Sequence, residues 1–511
     1  METGVEKSIY KYPRSAGVLM SVPMLSGPYG IGVLGAEAMA FVDFLSEAGF
    51  HVWQVLPVEH TDVSFSPYQC VSAFAGEPML IDPRMLLEMD LITADELAER
   101  AEGMRDDYVN YELVHEKQWA LLRKAYSRLE YKPHADYKPF WLETYALYMT
   151  LHHRFGETPW YEWPDEALRS YDTAAIKAAK VDLYYEMDVY RFIQWIFDKQ
   201  WQKLKEYAAS RKVSIVGDMP FYVSGDSAEV WSARDLFDAE ANGDFAAVSG
   251  APPDYFTPLG QLWGNPIYNW RLMKRRGYRW WARRIKTAME RYDYVRIDHF
   301  RGFDTYWEIP AGAPDATTGK WVEGPGLQFF KTIEALLGST NLPLIAEDLG
   351  HDYGNVPQLL KDSGYRGMRS IQFGFIGDEK HIPHFITEDE IAYTGTHDNT
   401  TIMAWMMEMS AEYRDRALLY IGFEGDWTAG GPNSAVIRAW MRSLFTCGAS
   451  LAIMPIQDLL GYGADTRTNT PGTIIDNWVF RVRPYVLDEV DKGYIKALII
   501  ASSRDNMMDG K

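Results

Sequence analysis

Eight short apolar runs punctuate the chain, and the stretches between them carry helical periodicity. The runs fall near Gly17–Val22, Val52–Pro57, Val213–Gly217, Tyr294–Ile297, Pro343–Ala346, Met368–Phe373, Ile391–Thr396 and Ser450–Pro455. They are rich in Val, Ile, Leu and Tyr, and many stop at Gly, Pro, Asn or Asp, which predicts strands. Between them, Gly35–Ala48 places Ala38, Phe41, Val42 and Leu45 on one helical face, and Trp280–Tyr292 repeats Trp281, Ile285 and Met289 at fourfold spacing. Gly326–Leu337 follows the same pattern. Strands alternating with helices predict an α/β fold with a parallel sheet closed as a (β/α)8 TIM barrel. An open doubly wound sheet is the alternative, but Gly30, Gly32 and Gly35 have the wrong spacing for a dinucleotide turn, and Tyr29 and Ile31 would crowd a pyrophosphate.

Two connections are too long for simple barrel loops. Residues 82–211 predict a helical subdomain: Thr93-x-x-Glu96 is a capping box, and Tyr111–Leu129 and Phe140–Phe155 are periodic. Residues 223–290 predict a loop-rich insertion, with Gly, Pro and Asp concentrated in 223–269 and the run Gly250-Ala-Pro-Pro-Asp254 within it. No linker divides the chain, so residues 1–511 are expected to form a single catalytic domain with insertions. About 55 residues follow the last strand, too few for a C-terminal β-sandwich of roughly 100 residues.

Composition narrows the partners. The net charge of −20 repels nucleic acid and anionic membrane surfaces, which leaves a neutral or cationic partner. Two cysteines, Cys70 and Cys447, exclude a disulfide framework and a multi-cysteine metal site. The amino terminus lacks a basic region followed by an apolar one, and no apolar stretch approaches the ~18 residues of a membrane span, so cytoplasmic residence is expected. The 18 Trp and 32 Tyr include enough rings for sugar faces to stack on, although most are expected in the core.

Three acids stand at predicted strand ends: Asp298 in Val295-Arg-Ile-Asp-His-Phe-Arg-Gly302, Glu347 in Leu344-Ile-Ala-Glu-Asp-Leu-Gly350 and Asp398 in Thr394-Gly-Thr-His-Asp-Asn399. A lone strand-end Asp is more often a turn or helix cap. Three on one rim, with Asp218 closing the third strand, argue for a site at the barrel mouth. Two carboxylates can cleave a glycosidic bond, one as nucleophile and one as proton donor, and a third can hold the strained sugar. Arg296 lies two residues before Asp298, so both side chains face one way and the guanidinium favours an ionised Asp298. Glu347 would need a raised pKa, which like charge from Asp298 and Asp398 supplies. His299 and His397 adjoin the acids, but no His-x-His or His-Glu-x-x-His spacing accompanies them, so no metal and no cofactor is expected. His397 is better placed to hydrogen-bond a sugar hydroxyl. On these residues alone, hydrolysis and transfer stay equally open.

Arg296-Ile-Asp-His-Phe-Arg-Gly302, Ala346-Glu-Asp-Leu-Gly350 and Gly395-Thr-His-Asp-Asn399 resemble the catalytic segments of the amylomaltase family, the 4-α-glucanotransferases or disproportionating enzymes of the α-amylase superfamily. Gly217-Asp-Met-Pro-Phe-Tyr-Val223, Ser66-Pro-Tyr-Gln69, Ala73-Phe-Ala-Gly76, Pro252-Pro-Asp-Tyr-Phe256, Gly260-Gln-Leu-Trp-Gly-Asn-Pro266, Asn469-Thr-Pro-Gly-Thr473 and Asn477-Trp478 are similar to further segments of that family, in the same order over roughly residues 17–481. The resemblance implies Asp298 as nucleophile, Glu347 as general acid/base and Asp398 as transition-state stabiliser. It implies Arg296, His397 and Asp218 around the −1 sugar. Tyr68, Tyr255, Phe256 and Trp263 would contact the glucan, with Ser66, Gln261 and Asn469 as polar contacts and the Pro252–Pro266 segment as a lid. The implied reaction is transfer of α-1,4-glucan segments between malto-oligosaccharides or glucans by a retaining double displacement, with a monomer or weak homo-oligomer as the working form. A retaining α-glucan hydrolase or an inactive glucan-binding protein are the alternatives. The chain departs from the family pattern at Gly32-Val-Leu-Gly35, Ala75-Gly-Glu-Pro78, Thr257-Pro-Leu259 and Thr400.

Overall fold

The structure, a computed structural model, describes residues 10–240, 242–253, 257–350 and 354–505. Its strands in chain order are β1 (Ser15–Leu19), β2 (Val52–Gln54), β3 (Ser214–Met219), β4 (Ala247–Ala251), β5 (Gln261–Pro266), β6 (Tyr294–Ile297), β7 (Thr305–Pro310), β8 (Lys320–Glu323), β9 (Leu344–Ala346), β10 (Gly367–Ser370), β11 (Glu390–Tyr393) and β12 (Leu451–Pro455). Eight of them pair in parallel in the order β10-β11-β12-β1-β2-β3-β6-β9, and a parallel bridge from Ile345 to Arg366 joins the two ends. The sheet is therefore a closed (β/α)8 barrel, and each of its strands falls on a predicted apolar run. The run at 368–373 was too long for one strand. Helix Ile371–Gly374 takes over after Ser370, and its residues are equally buried, so apolarity alone does not mark the change.

Alternation along the strands fixes what points inward. Leu19, Val52, Val216, Tyr294, Ile345, Ile391, Tyr393, Leu451 and Ile453 share one apolar cluster, whereas Val18, Trp53, Ile215, Val295, Ala392 and Ala452 belong to the larger cluster beneath the helices. Two residues beyond Val216 stands Asp218; two and four beyond Tyr294 stand Arg296 and Asp298; two beyond Ile345 stands Glu347. The parity that fills the barrel thus delivers four polar side chains to its carboxyl mouth. At the opposite end Tyr10, Tyr12 and Tyr294 pack with ring centroids 5.0–5.8 Å apart, and the Tyr12 hydroxyl donates to Leu344 O at 2.8 Å.

Helices dominate residues 84–210. The capping box at Thr93 and Glu96 forms and opens helix Ala94–Ala101. The 27-residue helix Tyr184–Ser210 buries Phe192, Ile193, Ile196, Phe197, Trp201 and Leu204 and leads directly into β3. Its Gln194 amide exchanges hydrogen bonds with both backbone groups of Gly76, which supports the loop after β2. Residues 223–290, expected to be loop-rich, contain β4 and β5 and end in helix Arg279–Arg291. These strands join β7 and β8 in a four-stranded antiparallel sheet of order β5-β4-β7-β8. The sheet escaped the sequence pattern because its members come from two different barrel loops, and β4 and β5 carry glycines that make a strand locally unattractive. Gly250 is needed there: a Cβ would lie 2.2 Å from Gln261 O and 2.4 Å from Ile309 Cδ1. After β12 the described residues form helices and loops, with no β-sandwich among them, and none of the helices is long and apolar enough to cross a membrane.

Candidate active site

Asp218 and Arg296 are partners across β3 and β6, so the guanidinium meets the carboxylate within the barrel wall. Arg296 Nη1 lies 2.6 and 2.7 Å from the two Asp218 oxygens and 3.1 Å from Asp298 Oδ1. Burial opposes the arginine's charge, but Asp218, Asp298, Tyr68 and Glu347 outweigh it and hold the guanidinium firmly cationic. Asp298 follows β6 and donates its N–H to Met219 O at 3.0 Å, which keeps it in the strand ladder one residue longer. Burial pushes its carboxyl up to about 6; Arg296 pulls the other way. The expectation of an arginine-stabilised anion therefore needs correction in its balance: the guanidinium restrains a rise that burial causes.

Glu347 follows β9. Its Oε2 accepts from His299 N at 2.9 Å and its Oε1 from Leu349 N at 2.7 Å. His299 adopts a left-handed φ of 47°, uncommon for a residue with a side chain, and this turn aims its N–H at the carboxylate. Burial again leads, pushing the Glu347 carboxyl up to about 8, with Asp298 adding to the rise and Arg296 opposing it. Asp298 ionises first and Glu347 keeps its proton longer, the division that acid–nucleophile chemistry requires.

Asp398 stands on the opposite side of the mouth and is more exposed. Asn469 Nδ2 donates to its Oδ1 at 2.6 Å, and His397 Nε2 lies 3.4 Å from the same oxygen. Tyr68 links the two sides. Its hydroxyl donates to Asp218 Oδ2 at 2.7 Å, and its ring stacks on His397 with centroids 5.1 Å apart. Asp218, Arg296, Asp298, Tyr68, His397, Asp398 and Asn469 thus form one bonded chain across the barrel mouth. Trp263 on β5 meets His299 edge-on at 4.8 Å and donates from Nε1 to Gln261 Oε1 at 3.1 Å, which places the antiparallel sheet over the turn that follows Asp298. Ser66 sits apart, its hydroxyl facing its own turn at Tyr68 N. Tyr255 and Phe256 lie outside the described residues. This geometry suits cleavage and reformation of a glycosidic bond.

Comparison with known proteins decides among the chemistries. The family model for 4-alpha-glucanotransferase matches residues 20–487. The chain belongs to the 4-alpha-glucanotransferase family. It is 38% identical over 509 residues to the 4-alpha-glucanotransferase of Streptococcus pneumoniae, covering 98% of this chain and 99% of that one. Against the 4-alpha-glucanotransferase of Aquifex aeolicus it is 39% identical over 497 residues, 95% and 98% of the two chains. The solved amylomaltase of Streptococcus agalactiae, in complex with acarbose, superposes with a TM-score of 0.91 at 37% identity, over 96% of this chain and 100% of that one. The protein is an enzyme of glucan transfer.

Several residues of this 4-alpha-glucanotransferase were not assigned roles from sequence. Trp478 packs on both Tyr68 and His397, at 5.8 and 5.9 Å, from a left-handed φ of 67°. Phe221 and Tyr222, which follow Asp218, pack on His299. Both lie in segments quoted for the family resemblance, yet nothing in their spacing revealed the contacts. Glu77, at the departure Ala75-Gly-Glu-Pro78, is buried and accepts from Thr61 N at 2.8 Å, Thr61 Oγ1 at 2.9 Å and Met79 N at 3.0 Å. It ties down the base of the loop that carries Ser66 and Tyr68. Burial outweighs these bonds and pushes its carboxyl up to about 7.

Proposed function

We propose that Asp298 attacks the anomeric carbon of an α-1,4-linked glucan while Glu347 protonates the departing glycosidic oxygen. The leaving segment departs with that proton, and the donor fragment remains esterified to Asp298. Glu347, now ionised, takes a proton from the 4-hydroxyl of an acceptor sugar, whose oxygen displaces Asp298 and reforms the bond with retained configuration. Asp398 stabilises the positive charge that builds on the sugar ring in the transition state of each step, with His397, Asp218 and Arg296 around it. The observation that carries this reading is the unequal environment of two neighbouring acids: Asp298 lies 3.1 Å from Arg296, whereas Glu347, among the described residues, accepts from the backbone N–H groups of His299 and Leu349.

Malto-oligosaccharides and α-1,4-glucans are the proposed donors and acceptors, contacting Tyr68, Trp263, Gln261, Ser66 and Asn469, and Tyr255 and Phe256 from the lid. Water competes as acceptor, and the sheet that brings Trp263 to His299 supports its exclusion. The buried, unpaired Cys70 and Cys447 fit a reducing cytoplasm, where a monomer or weak homo-oligomer would act. Incubation with maltotriose is the direct test. Glucose together with a ladder of oligomers longer than the substrate is expected; exclusively shorter products would make the enzyme a hydrolase. Asp298→Ala should abolish both, and turnover at the wild-type rate would remove Asp298 from the nucleophile role.

A further inference from the structure

The Asn469 amide can reach the Asp398 carboxylate because one guanidinium ties together the two backbones that carry them. Arg467 donates from Nε to Asn469 O at 2.7 Å and from Nη2 to Asp398 O at 2.6 Å. Two donors of one rigid planar group thereby reach two carbonyls 71 positions apart in the chain. Asn469 N adds a third tie, to His397 O at 3.1 Å. The clamp is itself supported from the barrel. Gln457, buried just beyond β12, donates from Nε2 to Thr466 O at 3.0 Å and to Thr468 Oγ1 at 2.8 Å, the residues on either side of Arg467.

We infer that Arg467 is a positioning residue for glucan transfer: it locks the loop after β11 to the loop after β12, so that Asn469 fixes the rotamer of Asp398. This rests on the proposed role of Asp398. Its Nε and Nη2 are spent on two carbonyls, and through them it decides where an acid with an otherwise half-exposed carboxylate points. A purely structural staple would show in stability; a positioning clamp shows in turnover.

The test uses the full-length enzyme and glucose release from maltotriose. Arg467→Met should lower kcat roughly 10- to 100-fold, the scale of an ångström-level misplacement, with KM changed by no more than about twofold. The melting temperature should stay within about 3 °C, because the Asp398 carbonyl lies at the solvent-exposed rim and water can replace the lost donor. Arg467→Lys, which keeps the charge and one carbonyl contact, should recover part of the rate. The double variant Arg467→Met/Asn469→Ala should be no slower than the slower single variant, within about threefold, because both act on one carboxylate. The clamp is refuted by Arg467→Met retaining more than about half of wild-type kcat, or by losses that multiply in the double variant. It is equally refuted by a fall in kcat that only tracks a fall in melting temperature, with no recovery in Arg467→Lys. Asp398→Asn run alongside separates the two levels: wild-type turnover there would overturn the role of Asp398 itself.

Discussion

Replacing Arg296 should move the pH dependence of the enzyme before it does anything else. In the wild type, kcat/KM should rise as Asp298 loses its proton near pH 6 and fall as Glu347 loses its proton near pH 8, a bell centred near neutrality. Arg296 Nη1 stands 3.1 Å from Asp298 Oδ1. At an effective dielectric constant of about 20 that attraction is worth about 5 kcal/mol, nearly four powers of ten in the ionisation equilibrium. Even half of it, about two powers of ten, would carry the rise of the bell from near 6 to near 8, and because Arg296 also restrains Glu347 the fall should move to higher pH with it. With the rise near pH 8 only about a tenth of Asp298 is ionised at about pH 7, so activity at neutral pH should drop about 10-fold. Arg296→Met alone leaves the buried Asp218 unpaired, at a cost of about 3–5 kcal/mol in stability. Arg296→Met/Asp218→Asn removes that charge while its amide oxygen can still accept from Tyr68. The assay is kcat/KM for maltotriose from about pH 5 to about pH 9. Asp218 itself raises Asp298, so the double variant should show a smaller shift than Arg296→Met. An acid limb of Arg296→Met within about half a unit of the wild-type position would refute the electrostatic reasoning.

Two further outcomes follow from buried groups around the site. Glu77 rises from 4.5 to about 7, so its contribution is fully present below pH 4.5 and is lost as pH climbs through 7. The stability of Glu77→Gln relative to wild type should therefore increase by about 3 kcal/mol between about pH 5 and pH 8 in urea unfolding, and a difference constant to about 1 kcal/mol would discard the assignment. At Gly217, next to Asp218, an added Cβ would meet Tyr292 Cδ2 at 2.1 Å. Gly217→Ala should thus destabilise by about 3 kcal/mol or more in the same measurement, and a neutral result would show that the ring yields freely.

Much of this architecture was written in local pattern. The eight barrel strands announce themselves as apolar runs because both of their faces are covered, and strand alternation was enough to put Arg296 and Asp298 on one side. What stayed hidden was non-local. The antiparallel sheet assembles from β4 and β5 before β6 and from β7 and β8 after it, and no single segment carries its pattern. Asn469 was expected to touch sugar; that its amide sits 2.6 Å from Asp398 depends on Arg467 and Gln457, which no spacing rule connects to an acid some seventy residues earlier. The sign of the electrostatics at Asp298 was hidden too. Arg296 could be read from the strand, but the depth of burial that outweighs it is a property of the finished barrel.

The hydrogen bond from His299 N to Glu347 Oε2 has a consequence for how such an enzyme diversifies. The residue that holds the proposed proton carrier is the one immediately after the proposed nucleophile, so the two acids are joined through a single peptide unit. Their separation, which sets whether a sugar leaves with its configuration kept or reversed, is then insulated from the size and contents of the surrounding loops. Insertions after β2 and β3 can be lengthened, trimmed or exchanged to suit new chain lengths and acceptors while the stereochemistry stays constant. Selectivity and stereochemical outcome become separately heritable traits of one barrel.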